Sequence, residues 1–420
     1  LLPFSLFLFT SCQKNTTPVQ LPNPQLTLSA EAGVIEAWLT VTTEEATGMQ
    51  VVLTRDGAER LRFSAVAETT VVDTGLLPAH SYTYAARLVK DGQTAARSNS
   101  VQLTTMDTTS HNFSWEIYEF GGVHGSSVLY DVAIINENDI WAVGEIYSDS
   151  AQPWLPYNAV HWNGSEWELK RIPFIGACSA VDYPPLRTVG AFNSQEIYFS
   201  NGGSIVSFDG SDFNMDCGMN SLLSGAIIKI WGTDSDNLYT VGGGGSIVHY
   251  DGSGWRRIES GTELSVYDIW GYTDAMKDNL VLAIASLKYQ LNTPKLLEIT
   301  PSSARSRYFP IYNGLHSLWF ASPYKIYVCG GGIHVGTGHQ WTREPDLPEI
   351  FYNRIRGTGL NDIWAVGDFG VVVHFNGFTW RHYPQFFLTT GNYESLAVIE
   401  GLAVAVGWDN GNGIILRLQQ

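Results

Sequence analysis

Three groups of residues in this chain have the types and spacing that chemistry would require. Asp234-Ser235-Asp236-Asn237 spaces its carboxylates like a calcium-binding loop, since a hard cation collects several oxygens from one tight turn. No distal Glu completes it, and Asn136-Glu137-Asn138-Asp139 and Asn193-Ser194-Gln195-Glu196 fill the same slot elsewhere. A polar turn explains all three. The glycine run 242–245 has neither a helix nor a Lys-Ser/Thr after it, so it lacks the parts of a phosphate cradle. His161, His249 and His374 are metal-ligating types, but they share one position of a repeated strand and so fall on different units. The sequence therefore predicts no metal site, no cofactor and no catalytic residue.

The elements that hold these residues are repeats. A strand like Asp-Ile-Trp-Ala-Val-Gly is followed by glycines, an alternating strand ending in aromatic-Asp-Gly or aromatic-Asn-Gly, and an aromatic four positions after the Asp or Asn. The unit recurs from 139, 196, 237, 325 and 362. Aligning the aromatic of the second strand gives Trp141, Tyr198, Tyr239, Val281, Tyr327, Trp364 and Val404. Short-strand repeats of about forty residues imply a β-propeller, whose four-stranded blades bury their faces only against each other. Seven blades are expected. The Asp-Gly and Asn-Gly pairs predict two-residue type I′ hairpins. The last unit, 393–420, ends before its fourth strand, while 112–118 aligns with 376–382. Residues 111–118 are therefore expected to supply the outer strand of the seventh blade and close a ring spanning 111–420.

Before the ring, residues 25–106 contain seven short β segments separated by turn signals such as Asp56-Gly57 and Asp91-Gly92, the pattern of an immunoglobulin-like sandwich. Gly75-Leu76-Leu77-Pro78-Ala79-His80-Ser81-Tyr82-Thr83-Tyr84, with Trp38 and Val101-Gln102-Leu103-Thr104-Thr105, resembles a fibronectin type III domain and its tyrosine corner. The fold expected is thus all-β, a fibronectin type III-like β-sandwich followed by a seven-bladed β-propeller. The resemblance implies a spacer or contact module.

Residues 1–9 are almost wholly apolar, too short to span a bilayer but suited to the core of a signal peptide. Phe9-Thr10-Ser11-Cys12 resembles a bacterial lipobox, which implies lipidation at Cys12 after a signal segment 1–12, with 13–24 as linker. With no Met and no basic n-region, the chain is expected to begin short of its natural start. The expected location is the bacterial cell envelope, at the outer membrane or cell surface, held to the membrane through a lipid anchor. A net charge of −17 and a pI near 4.9 remove the electrostatic footprint for phosphate backbones, so no nucleic-acid partner is expected. Cys178 and Cys217 follow fourth strands of adjacent units and are candidates for a disulfide, which export would permit, whereas Cys329 lies inside a second strand.

Arg171-Ile172-Pro173 is similar to the Arg-Ile-Pro motif of sialidases, and the aromatic-Asp-Gly hairpins are something like their Asp-boxes. Asp-boxes, however, separate Asp from Gly, and here the two are adjacent. Arg171 also falls at the end of a fourth strand, away from a central site. Glycosidases need paired carboxylates across one cleft, so two or three carboxylates converging with an Arg on the channel mouth would mark an enzyme. An aromatic platform would mark a binder.

Insertions concentrate in the second-to-third loops and the links between units: 145–158, 174–185, 214–225, 287–294, 301–313 and 382–392. Long loops on one face of a rigid scaffold are where binding resides. Their aromatics include Tyr289, and Arg305 and Arg307 lie nearby. Trp154, Tyr157, Tyr183, Tyr308, Trp408 and Asp409 are the candidate ligand-binding residues. The repeat resembles the broad class of bacterial surface propellers with Asp-Ile-Trp-Ala-Val-Gly units. These features together predict a non-catalytic envelope lipoprotein binding a glycan or a protein. A polysaccharide-degrading glycoside hydrolase or lyase is the alternative.

Overall fold

A computed structural model describes residues 23–149, 155–176, 180–216, 218–274 and 277–420. Cys12, Trp154, Cys178 and Cys217 lie outside the described residues. The chain divides into two compact units, one ending at Met106 and one beginning at Asp107.

In the first unit, a three-stranded sheet (Gln25–Ala32, Glu36–Glu44, Glu68–Thr74) and a five-stranded sheet share one core. The second sheet orders Ala58–Ser64, Gln50–Arg55 and Ser81–Lys90, with Gln93–Arg97 and Val101–Thr104 both paired to the last of these. Gln93–Arg97 is a strand beyond the seven expected. It follows a true two-residue hairpin in which Asp91 and Gly92 both have φ > 0, as do Asp56 and Gly57. The alternating pattern of Ser81–Lys90 buries Tyr82, Tyr84, Ala86 and Leu88. Tyr82 turns its hydroxyl back to accept the Leu77 N–H at 2.9 Å, pinning the corner that leads into this strand.

Among the described residues, the second unit holds seven four-stranded antiparallel sheets, numbered 1 to 7 in chain order, and a small hairpin between sheets 1 and 2. Their first strands are Val128–Asn136, Thr188–Asn193, Ile227–Asp234, Ser265–Asp274, Leu315–Ser322, Tyr352–Gly359 and Asn392–Ile399. Each first strand packs on the next, and that of sheet 7 packs on that of sheet 1, so the first strands form a closed inner ring. The fourth strand of sheet 7 is Ser114–Phe120, which pairs with Asn412–Gln419 from Gln419↔Ser114 to Gly413↔Phe120. Chain positions about 300 apart therefore share one sheet, and the two ends of the unit are held together in it.

The repeat owes its sequence to local physical needs. Asp139 Oδ1 accepts Trp141 Nε1–H at 3.1 Å and lies 2.9 Å from His161 Nε2, while its Oδ2 accepts the Ser194 hydroxyl of sheet 2 at 2.7 Å. Trp141 and His161 stack at 4.2 Å. Asp362, Trp364 and His374 repeat the arrangement in sheet 6, and Asn237 holds His249 at 2.8 Å in sheet 3. The glycine that ends the second-strand motif is equally constrained: a Cβ on Gly144, Gly242, Gly330, Gly367 or Gly407 would meet a carbonyl oxygen at, or one residue before, the start of the adjacent inner strand.

Two expectations need correction. The hairpins Asp209-Gly210 and Asp251-Gly252 have four-residue loops, with Phe208 opposite Phe213 and Tyr250 opposite Trp255. Only the glycine has positive φ; the Asp instead accepts two backbone N–H groups ahead of it, as Asp251 Oδ1 does from Ser253 and Gly254. The Asx turn replaces the type I′ geometry. The second correction concerns register. Trp270 pairs with Leu282, in the way Trp231 pairs with Tyr239, so Leu282 and not Val281 occupies the aromatic column in sheet 4.

His111, just before the closing strand, bonds His374 at 2.9 Å between their Nδ1 atoms. Burial, with the His374 and Arg381 charges, lowers its pKa from 6.5 to about 4. A depressed folded pKa adds stability that is present above 6.5 and lost as pH falls through about 4. Melting temperature should therefore drop across that window, and His111→Gln should flatten the drop. Starting the second unit after residue 120 should remove cooperative melting by circular dichroism, whereas starting it at Asp107 should preserve it.

Candidate functional site

In six of the seven inner strands one residue bulges out of register near the long-loop end, and the next residue points to the ring axis: Asp131, Lys229, Asp268, Ser317, Arg354 and Ser395. Thr188 takes the corresponding place in sheet 2. All seven are polar and buried. Asp131 accepts the hydroxyls of Thr188 and Ser395 at 2.7 Å each and the Lys229 ammonium at 2.7 Å. Asp268 accepts Ser317 Oγ at 2.5 Å and a bidentate Arg356 at 2.7 and 2.8 Å. Arg354 Nη1 stands 2.9 Å from Asp268 Oδ1 without hydrogen-bond alignment. Burial pushes both carboxyls up. The Lys229 and Arg354 charges at Asp131, and the Arg356 and Arg354 charges at Asp268, outweigh it and hold both below the ordinary range. These carboxylates are ionised, saturated and structural, and they offer no proton to a substrate.

The long-loop mouth lies above this layer. The second-to-third loop of sheet 4 carries Lys288 and Tyr289, and that of sheet 6 carries Asp368 and Phe369. Tyr289 and Phe369 are each 57% exposed, and both have positive φ, 61° and 53°. A bulky side chain rarely adopts that backbone region, and such strain gathers at functional sites. The Tyr289 hydroxyl bonds Asp368 Oδ1 at 3.3 Å, and its ring packs on Phe351 at 4.5 Å with the Lys288 ammonium 4.8 Å from its centre. His316 stands between the Phe351 and Tyr267 rings. A groove of about 350 Å³, lined by Tyr289, Leu291, Arg343, Glu349 and Phe351 among others, runs outward from this cluster.

Two carboxylates also face the mouth. Asp368 accepts Asn353 Nδ2 at 2.8 Å, while burial and the nearby Glu394 charge raise its pKa. Glu394 accepts Trp408 Nε1 at 3.4 Å and lies 3.7 Å from Lys288 Nζ. The mouth thus combines an aromatic platform with one carboxyl of raised pKa. The arginines of the inner strand, Arg354 and Arg356, are committed to Asp268 below it.

Of the expected ligand-binding residues that the structure describes, Trp408 alone joins this cluster. Asp409 is occupied with folding its own loop, accepting Thr390 N–H at 3.1 Å and Thr390 Oγ1–H at 3.0 Å. Tyr157 lies under the Arg171 guanidinium at 4.0 Å, Tyr183 is half-buried in the link to sheet 2, and exposed Tyr308 neighbours His339 at 5.9 Å. The stretch 301–313 is not one loop. Ser303–Ser306 is the fourth strand of sheet 4, and Arg305 on it pairs with Glu298. Cys329 is a buried thiol. Asp234–Asn237 closes a turn in which Asp234 accepts the Asp236 N–H, and no metal-binding cluster occurs among the described residues. Sequence reasoning missed Lys288, Phe351, Asp368, Phe369 and Glu394. The signal available was the position of Asp368-Phe369 right after the repeat glycine Gly367.

No protein-family model matches the chain, and no curated protein matches it. Solved structures do. The chain is similar to YCF48 bound to D1 peptide, with a TM-score of 0.55 and 14% identity over 74% of this chain and 97% of that one. It is also similar to the WD40 β-propeller domain of Doa1, with a TM-score of 0.53 and 13% identity over 74% of this chain and 98% of that one. At these identities the likeness establishes the fold, a β-propeller.

Asp268→Ala would leave Arg354 and Arg356 buried beside an empty site, a loss of about 3–5 kcal/mol. Urea denaturation should show the midpoint falling accordingly with the slope unchanged.

Proposed function

We propose that this protein is a non-catalytic envelope lipoprotein in which a fibronectin type III-like module carries a seven-bladed propeller, and that the long-loop mouth of the propeller binds a protein or peptide. The observation that carries the reading is the pair Tyr289 and Phe369, two exposed aromatic rings held in left-handed backbone on neighbouring loops of one face. Rigid aromatic anchors beside a groove are the usual centre of a protein interface. Lys288, Arg343, Asp368 and Glu349 around them offer both signs of charge for orienting a chain.

The likeness to a propeller that is itself described as bound to a peptide supports the protein alternative, and nothing comparable supports a glycan. Seven four-stranded sheets in a closed ring support the blade count. The two sheets of the first unit and the Tyr82 corner support the fibronectin type III-like assignment. Lipidation at Cys12 rests on the sequence 9–12 alone.

The raised pKa of Asp368 beside Glu394 favours a second reading, a hydrolase or lyase with Asp368 as proton donor. Selection of a displayed random-peptide library on the protein separates the two. Selected peptides should lose about thirtyfold or more in affinity with Tyr289→Gly or Phe369→Gly, replacements that keep the turn because glycine accepts positive φ. Peptides indifferent to both changes would place binding elsewhere. Release of sugar from polysaccharides, abolished by Asp368→Asn, would establish the hydrolase.

A further inference from the structure

The opposite end of the ring holds a chamber that the long-loop reading does not use. At the short-turn mouth, a cavity of about 230 Å³ is walled by apolar and aromatic side chains, among them Phe192, Trp231, Trp270 and Val398. Its polar lining is cationic, from Lys229 and Arg356. These belong to the buried axial layer, in which the ion pairs of Lys229, Arg354 and Arg356 among the described residues run to Asp131 and Asp268 alone. Lys229 pairs with Asp131 and Arg356 with Asp268, while Arg354, which does not line the chamber, shares Asp268, so the layer as a whole carries one net positive charge beside the chamber, which favours an anion there.

The donors for that anion exist. The Lys229 ammonium has three N–H groups, and its bonds among the described residues go to Asp131 alone. Arg356 spends Nη1 and Nη2 on Asp268, Ser317 and backbone carbonyls, and its Nε donates to none of the described residues. The Arg356 guanidinium lies 4.8 Å from the Trp270 ring centre, which fixes its plane at the edge of the chamber. Above it, Trp231 and Trp270, with ring centres 6.5 Å apart, can cover an apolar chain but offer no counter-charge.

We propose that this chamber binds a small monocarboxylate with an apolar tail, its carboxylate toward Lys229 and Arg356 and its tail between Trp231, Trp270 and Val398. The site is on the face away from the long loops, so it stands or falls independently of the peptide reading. A charged head at the floor and apolar walls above select against two simpler ligands. An inorganic anion leaves the walls uncovered, and a neutral alcohol leaves the floor's excess charge unanswered.

Isothermal titration of the full chain with hexanoate, hexan-1-ol and sodium chloride at matched ionic strength tests this. Hexanoate should bind with one-to-one stoichiometry, and hexan-1-ol at least about tenfold more weakly. Chloride should not displace hexanoate. Lys229→Gln would leave Asp131 buried without its cation and risks the fold, so Val398→Trp, which fills the chamber from its half-buried rim, is the decisive variant. It should abolish hexanoate binding; because Val398 also packs against the core between sheets 6 and 7, a retained cooperative melting transition, and not an unchanged midpoint, is the check that the ring is folded. Absence of hexanoate binding, equal affinity for hexan-1-ol, saturation by chloride, or unchanged affinity in a folded Val398→Trp protein would each overturn the proposal.

Discussion

Two buried carboxylates between them engage the inner strands of all seven sheets, in one set of four and one of three. Asp131 of sheet 1 reaches Thr188 of sheet 2, Lys229 of sheet 3 and Ser395 of sheet 7, and Asp268 of sheet 4 reaches Ser317 of sheet 5 and Arg354 and Arg356 of sheet 6. A ring of sheets has flat apolar interfaces that can slide, because hydrophobic burial is non-directional. Charge-assisted bonds are directional and fix the register. Desolvating these ions is costly, and it is offset only while every partner stays in place. The axis is therefore intolerant of change in a way that the apolar walls between sheets are not.

Around that axis, function separates by face. The short turns are held by side-chain caps such as Asn163 on Ser165 and Glu166, and they cross from one sheet to the next through bonds such as Ser194 to Asp139. The long loops are free of those repeated constraints and so can display Tyr289 and Phe369 in strained backbone. The rigid ring beneath makes such strain bearable, since the loops need supply none of the stability that holds the ring closed.

Much of the fold was legible from local sequence because the repeat encodes local needs. The Asp that opens a second strand bonds the aromatic two residues on, and the glycine beyond them lies against the backbone of the adjacent inner strand. Asp-Gly was less informative: it makes a type I′ hairpin at Asp56-Gly57 and an Asx-capped four-residue loop at Asp251-Gly252. The neighbouring strands decide between the two, since both geometries accept the dipeptide. The candidate site was mostly illegible. Trp408 was found because it is a loop aromatic on the right face, but Tyr157 and Tyr308, equally aromatic, were drawn to other neighbours.

The sequence by itself determined the all-β character, the recurring strand order and the segment that pairs with the last strand. Each of these follows from side-chain periodicity and from residues that act on near neighbours. Only the tertiary structure decided the axis and the mouth. Asp131, Thr188, Lys229, Ser317 and Arg354 each stand eight residues ahead of Asp139, Glu196, Asn237, Lys325 and Asp362, a spacing visible in the sequence. Their types vary, though, from acid to hydroxyl to base, because each answers to a partner on another sheet. Complementarity across a closed ring is a property of the assembled set, and no single repeat carries it.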